Sequence, residues 1–181
     1  MSSLDYHIVS LYDVLEAYGE DATSKKLSSF RCGRDPDREL FLHNKAIMME
    51  KKSISRTYLG LNPSTNRILG YFSIGMKCMR IPDDTPISSN TRKRMNIDSD
   101  TGVAQSYLLG QLGRDDDSPK GFGHSLLVEA LNRLSDANRI VGCRLVRLDC
   151  SDELIDYYVD SGFRFVGRND SENLNQMVII I

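Results

Sequence analysis

The sequence contains no apolar run approaching the roughly 20 residues that a membrane-spanning helix needs, which excludes a helical span. Its opening, MSSLDYHIVS, lacks the basic flank and apolar stretch of a secretory signal, so a cytoplasmic protein is expected. A strong field of either sign is missing as well. The formal net charge is -2, which provides no global attraction to nucleic acid or to an anionic membrane. The cysteines, Cys32, Cys78, Cys143 and Cys150, form no CxxC pair and stand beside no histidine at metal-ligand spacing. They read as reduced and buried, and no metal site is expected. Internal repeats and low-complexity segments are absent too. What remains, 181 residues of which 40% are apolar and 27% charged, fits one domain over residues 1–181 better than two.

Hydrophobic periodicity orders the chain. Residues 6–11 are β-prone and run into a weakly helical stretch ending near Tyr18. Residues 30–37, with Gly33 and Pro36, read as a loop, and Pro36 suits the start of a helix over 37–52. That helix is expected to turn Leu40, Phe41, Ala46, Ile47 and Met48 largely toward the core. Residues 56–61 and 68–76 are β-branched and aromatic, and Asn62-Pro63-Ser64-Thr65-Asn66 between them supplies turn residues, predicting a hairpin. Residues 80–102 show no sustained period and read as a long, partly mobile loop of the kind that shapes substrate sites. A strand over 106–114, a polar turn and an amphipathic helix from Gly121 follow. That helix carries Leu126, Leu127, Ala130, Leu131, Leu134 and Ala137 on one face. Then come a strand over 144–150, a short helix over 152–160 with Gly162 at its left-handed end, and strands over 163–166 and 177–181. The last, Val178-Ile179-Ile180-Ile181, suits either a central strand or a pairing edge.

The chemistry-bearing signal is Ser118-Pro119-Lys120-Gly121-Phe122-Gly123-His124, set between a strand and a helix. A helix start leaves backbone N–H groups unpaired, and its dipole favours negative charge. Glycines at 121 and 123 clear the approach of a pyrophosphate, and Lys120 adds a positive charge. The stretch is no Walker loop, because no GK[ST] follows, and no dinucleotide fingerprint, because the third glycine and the acidic ribose partner are missing. Alone, a Gly-x-Gly turn is more often simple turn geometry than a phosphate site. Its surroundings change that reading.

Strand, Gly-x-Gly turn, helix, strand, then a short helix with Tyr157-Tyr158-Val159-Asp160-Ser161-Gly162-Phe163 resembles the acetyl-CoA-binding half of the GNAT acetyltransferases. The aromatic-Tyr-x-x-x-G-F pattern of that superfamily is complete here. Its Q/R-x-x-G-x-G/A turn has Ser118 at the opening position, and Ser151 stands where an asparagine is common. The resemblance covers residues 58–181 and implies an α/β (α+β) GNAT fold. That fold has a central mixed, mostly antiparallel sheet of six to seven strands, a splayed parallel pair and helices on both faces. It implies acetyl-CoA as cosubstrate, with contacts from the backbone of Leu112, Gly113 and Arg114 and from Ser118, Pro119, Lys120, Gly121, Phe122, Gly123, His124 and Ser151. The strand over 106–114 splays from the one over 144–150 to admit the pantetheine arm, and an N–H near Leu112 faces the acetyl carbonyl. Tyr158 is implied as the catalytic acid. A phenol with a pKa of ~10 is protonated at neutral pH and can donate to the departing thiolate. Adjacent helical residues point about 100° apart, so only one of Tyr157 and Tyr158 faces such a cleft. For the general base Asp149, Glu50 and His43 are conceivable, and so is water.

Phe41-Leu42-His43-Asn44-Lys45-Ala46, Ser55-Arg56-Thr57-Tyr58-Leu59, Gly70-Tyr71-Phe72-Ser73 and Leu109-Gly110-Gln111-Leu112-Gly113-Arg114-Asp115 are similar in layout to GNAT toxins of bacterial toxin-antitoxin pairs. Those toxins acetylate the amino group of aminoacyl-tRNA. Gln111 stands where they usually carry an arginine. The broader expectation is N-acetylation of a primary amine. Toxin-like acetylation of aminoacyl-tRNA, with an antitoxin partner, is the narrower alternative, and a catalytically inactive acetyl-CoA-binding module is the other. A homodimer and a local phosphate-binding face made of Arg31, Lys51, Lys52, Arg92, Lys93 and Arg94 complete the expectations.

Overall fold

The computed structural model describes residues 5–169 and 171–181. Of the opening decapeptide, residues 1–4 lie outside the described ones. The chain divides into two compact units, Met1–Gly75 with Gln111–Ala130 and Met76–Gly110 with Leu131–Ile181.

The first unit opens with β1 (His7–Ser10) and α1 (Leu11–Leu27). The Ser10 side chain caps α1 by accepting from the Asp13 N–H at 3.0 Å, satisfying a helix-start donor. Instead of ending near Tyr18, α1 kinks at Gly19 (φ 77°, ψ 172°) and continues to Leu27. The Thr23 hydroxyl donates to the Gly19 carbonyl at 2.7 Å, and burial of Leu27 draws the second limb onto the core. α2 (Pro36–Asn44) begins with Pro36, as its fixed φ favours, but the helix expected over 37–52 is two. Lys45 (φ -120°, ψ -31°) separates α2 from α3 (Ala46–Lys51). The break changes which residues face inward. Phe41, Leu42 and Ala46 are buried, whereas Leu40 and Met48, both expected in the core, are exposed.

β2 (Ser55–Leu61) and β3 (Ile68–Met76) form the predicted antiparallel hairpin, with Leu59 opposite Tyr71. Asn62 closes its turn by accepting from the N–H groups of Ser64 and Thr65, each at 2.9 Å. β1 pairs antiparallel to β2. Phe30, Leu42, Leu59 and Tyr71 fill the core of this unit, where full burial of each large apolar side chain stabilises by about 1.5–3 kcal/mol.

The second unit contains β4 (Met79–Arg80), α4 (Ser89–Arg94) and β5 (Val103–Ala104) within the segment expected to be a loop. That segment is anchored. Ile81, Met95 and Ala104 are buried in one cluster with Leu145, Val166 and Val178. Its apolar residues act as single plugs and not as a periodic face, so periodicity could not detect them. Ser88 caps α4 by accepting from the Thr91 N–H at 3.1 Å.

β6 (Tyr107–Arg114) and α5 (Phe122–Val141) each begin in one unit and end in the other. Leu126, Leu127, Ala130 and Leu134 are buried on α5 as its pattern requires. β7 (Leu145–Cys150), a 3-10 turn (Asp152–Leu154), α6 (Ile155–Asp160), β8 (Arg164–Asn169) and β9 (Leu174–Ile180) complete the chain. Gly162 (φ 93°) takes the left-handed conformation beyond α6. The sheet is mixed and seven-stranded, in the order β1-β2-β3-β6-β7-β9-β8. Its parallel pair, β6 with β7, comprises Tyr107 opposite Val146 and Leu108 opposite Arg147. β9 lies between β7 and β8, which resolves the apolar C-terminal run as interior.

Candidate active site

In the first unit the last residues of β6 and the start of α5 make a backbone surface. Gly121 has φ 87°, and a Cβ built on it would meet nothing within 4 Å. A Cβ on Gly123 would meet only Arg114 Cδ, at 3.7 Å. The turn therefore opens onto free space. Its neighbouring amides are partly engaged, with Phe122 N–H donating to the Pro119 carbonyl at 3.2 Å and His124 N–H to Gly121 at 3.0 Å. The α5 dipole adds its positive end. Pro119, Lys120, Gly121 and His124 are exposed, whereas Phe122 is fully buried and packs edge-on against Tyr6 at 5.2 Å.

Ser118 has a structural task. It is buried, and its hydroxyl donates to the Asp115 carbonyl at 2.6 Å and accepts from Arg114 Nη1 at 3.4 Å. The guanidinium of Arg114 thus lies at the turn. The sequence resemblance implies only a backbone role for Arg114. The missed signal was a cation on the strand residue four positions before Ser118.

Three consecutive aspartates hold the turn in place. Asp115, 1% exposed in its side chain, accepts from Arg31 N–H at 2.9 Å, Asp117 N–H at 3.1 Å and Arg67 at 2.7 Å. Asp117 also pairs with Arg67, at 2.6 Å. Asp116 accepts from Gly33 N–H at 2.8 Å and Arg34 at 3.1 Å. The Gly33 N–H, with Arg34 in support, holds the Asp116 carboxyl below its ordinary value.

The edge of β6 follows from alternation along a strand. Gly113 directs its carbonyl at Gly70, where an added Cβ would lie 2.7 Å away, and Asp115 N–H donates to Leu69 at 2.8 Å. Residues 113 and 115 thus face β3. The intervening peptide groups of Leu112 and Arg114 point to the opposite edge, and both residues are partly exposed. Gly113 itself is buried and tightly packed. A Cβ there would lie 3.1 Å from Tyr71 and 3.2 Å from Arg38.

In the second unit α6 carries both tyrosines. Tyr158 is 6% exposed, and its ring packs edge-on against Tyr157 at 5.0 Å and Phe163 at 5.6 Å. Tyr157 is half-buried, and its hydroxyl is enclosed without a hydrogen-bond partner among the described residues. Burial raises its pKa, as loss of water penalises a phenolate. Ser151 precedes the 3-10 turn and donates to Glu153 at 3.2 Å.

The conceivable bases have partners. Glu50, 2% exposed, receives Arg56 at 2.6 Å and Thr57 N–H at 2.8 Å. Both oxygens of Asp149 receive Arg147, at 2.9 and 2.8 Å. His43 Nε2 lies 3.0 Å from the Phe30 carbonyl. Among the residues named for a phosphate face, Arg92 is spent on the Pro82 and Asp83 carbonyls at 2.6 and 2.8 Å, Lys51 on Glu20 at 2.6 Å, and Arg31 on the Ser28 and Phe30 carbonyls. None of the four cysteines is in a disulfide, and Cys78 is exposed instead of buried because it lies just ahead of β4, where Met79 is the residue turned into the core.

This element order, with the parallel ladder ending after two pairs and a glycine turn feeding the long helix, is the GNAT fold. The solved structures it matches include a tyrosine-to-phenylalanine variant of KacT, with TM-score 0.76 and 20% identity over 98% of this chain and 95% of that one. AtaT complexed with acetyl-methionyl-tRNAfMet matches with TM-score 0.73 and 23% identity over 95% of this chain and 94% of that one. A tyrosine-to-phenylalanine variant of AtaT, bound to acetyl-CoA and the C-terminus of the antitoxin AtaR, matches with TM-score 0.69 and 20% identity over 98% and 94%. No protein-family model and no curated protein sequence matches the chain. No helix among the described residues is long and apolar enough to cross a membrane.

Proposed function

We propose that the chain is an acetyl-CoA-dependent N-acetyltransferase that acts on a primary amine. The observation that carries this reading is the empty space over Gly121 and Gly123, with the Arg114 guanidinium beside it. A diphosphate fills such a space, held by helix-start amides and one fixed cation. Acetyl-CoA supplies an activated acyl group. Leu112 and Arg114 offer free strand-edge peptide groups for the amides of the pantetheine arm, and Leu112 N–H donates to the acetyl oxygen. The amine nitrogen bonds to the acetyl carbon as the carbon–sulfur bond breaks. Tyr158 donates its proton to the leaving sulfur, and the proton lost by the amine passes to solvent.

Calorimetric titration with acetyl-CoA tests the reading. Binding at micromolar concentration is the expected result, followed by labelled acetyl transfer to an amine in cell extract. Absence of binding overturns it. Binding without transfer to any amine favours the inactive module.

A narrower reading, a toxin that acetylates the amino group of aminoacyl-tRNA and is held by an antitoxin, is supported by the likeness to AtaT and KacT. Expression of the unmodified chain is then expected to arrest translation, and Tyr158→Phe to relieve the arrest. Harmless expression of both removes the narrower reading alone.

A further inference from the structure

Arg38, on the first turn of α2, occupies a position that neither the sequence pattern nor the reading above employs. Its Cβ sits 3.2 Å from where a Gly113 Cβ would be, so the absence of that side chain is what admits it to the face of β6. The Tyr71 hydroxyl donates to its carbonyl at 2.7 Å, fixing the helix turn. Its Nη1 donates to Gln111 Oε1 at 2.7 Å and its Nε pairs with Asp35 at 3.1 Å. The side chain is 19% exposed. Tyr71 is fully buried, so the mount beneath the guanidinium is rigid.

A guanidinium has more N–H groups than these contacts use. Gln111 and Asp35 engage Nη1 and Nε, and the Nη2 edge has no partner among the described residues. Asp35, half-exposed, offsets part of the charge. Gln111 is neutral and offsets none. What is left is a planar donor edge, aimed and held in place, next to the strand residues 111–113. Charge-assisted donors of this kind suit a carboxylate or phosphate oxygen.

Resting on the acetyl-CoA reading, we propose that Arg38, aimed by Gln111, binds an oxyanion that the acceptor carries near its reacting amine. The acceptor class is therefore an α-amino compound with an adjacent carboxylate or phosphodiester, and simple amines are poor acceptors. The carboxylate belongs to a free amino acid, and the phosphodiester to an amino acid esterified to the end of a nucleic acid. Gly113 has a second use in this arrangement, because it brings the cation close to the acetyl position defined by Leu112.

The test measures transfer of labelled acetyl from acetyl-CoA to three probes: a mixture of free amino acids, a bulk aminoacyl-tRNA pool, and the corresponding amino-acid amides, which lack the oxyanion. The unmodified protein is expected to acetylate one of the first two at least about tenfold better than the amides, since loss of a charge-assisted contact costs roughly that much. Which of the two responds identifies the source of the oxyanion. Arg38→Gln is expected to raise the acceptor KM about tenfold or more while leaving the acetyl-CoA KM and kcat within about twofold, and Arg38→Lys to restore part of it. Gln111→Leu, which frees the guanidinium without removing it, gives a smaller rise. Equal use of the amides, or an unchanged acceptor KM in Arg38→Gln, overturns the proposal. So does acetyl-CoA binding without transfer to either oxyanion-bearing probe, which leaves the cofactor reading intact. No acetyl-CoA binding at all removes both.

Discussion

The glycine turn and the tyrosine helix are built by opposite means. The turn is a backbone surface with empty space above it, kept in shape from outside by Asp115 and Asp116. α6 is shaped from within by ring contacts among Tyr157, Tyr158 and Phe163. A binding surface made of amides cannot be deleted by changing one side chain, but its supports can be removed. A site made by one phenol can be deleted outright while its packing survives. Substitutions in the two regions should therefore separate cofactor affinity from chemistry.

Tyr158→Phe gives the largest expected effect. The ring contacts persist, so acetyl-CoA affinity should change by no more than about twofold, while transfer falls roughly 100- to 10,000-fold, the range for loss of a general acid. Tyr157→Phe sharpens the contrast. It removes an enclosed hydroxyl that has no hydrogen-bond partner among the described residues, so stability should rise by up to about 1 kcal/mol with transfer unchanged. Steady-state rates on both variants check this, and a larger rate loss in Tyr157→Phe would exchange the two assignments.

Asp115→Ala comes next and acts on the turn's support. Its carboxylate is nearly inaccessible and takes hydrogen bonds from Arg31 N–H, Asp117 N–H and Arg67. Removing it strands those donors, at a cost of about 2–4 kcal/mol. Denaturant unfolding measures the loss. A change below about 1 kcal/mol would mean that the turn holds itself and needs no brace.

These supports explain what the sequence could and could not disclose. The strand, Gly121-Phe122-Gly123 and α5 were legible because helix periodicity and glycine conformation are local properties. The tyrosine helix was legible through its complete motif and Gly162. Arg38 was not, because its role depends on the packing of α2 against Gly113, a pairing of positions 75 apart in the sequence that no local pattern encodes. Asp115 reads in sequence as the first residue of a polar turn, and only the approach of Arg31 and Arg67 turns it inward. The break at Lys45 was hidden for a related reason. Nothing in Asn44-Lys45-Ala46 forbids a helix, and the interruption is set by burial of Leu42 and Ala46 on the core.

Gly123→Ala separates fold from function by sign. The new methyl group meets only Arg114 Cδ at an ordinary 3.7 Å, and alanine favours helix over glycine by up to about 1 kcal/mol. Stability should hold or rise, while acetyl-CoA affinity falls about tenfold because the methyl group occupies space that a phosphate needs. Thermal melting and calorimetry on one preparation give both signs. Unchanged affinity would place the phosphates elsewhere.

The smallest expected effect is a pH dependence. Asp116 has its pKa lowered from 3.8 chiefly by the Gly33 N–H, with Arg34 adding to it. A depressed folded-state pKa contributes stability above the unfolded value, and that contribution disappears as pH falls through the folded one. The melting temperature of the unmodified protein should exceed that of Asp116→Asn at neutral pH, with the gap closing below about pH 4. Asp152, at the start of the 3-10 turn that leads into α6, is depressed in the same direction by the Asn175 side chain and then Arg168. Its Asp152→Asn gap should close over the same interval. The two carboxylates part company in what they brace. Asp116 draws the loop at Gly33 onto the residues that precede Ser118, so Asp116→Asn should weaken acetyl-CoA binding as well as stability. Asp152 ties β9 to the turn ahead of α6 and should leave that affinity unchanged. Equal loss of affinity in both variants would mean that the phosphate surface depends on the tyrosine helix after all.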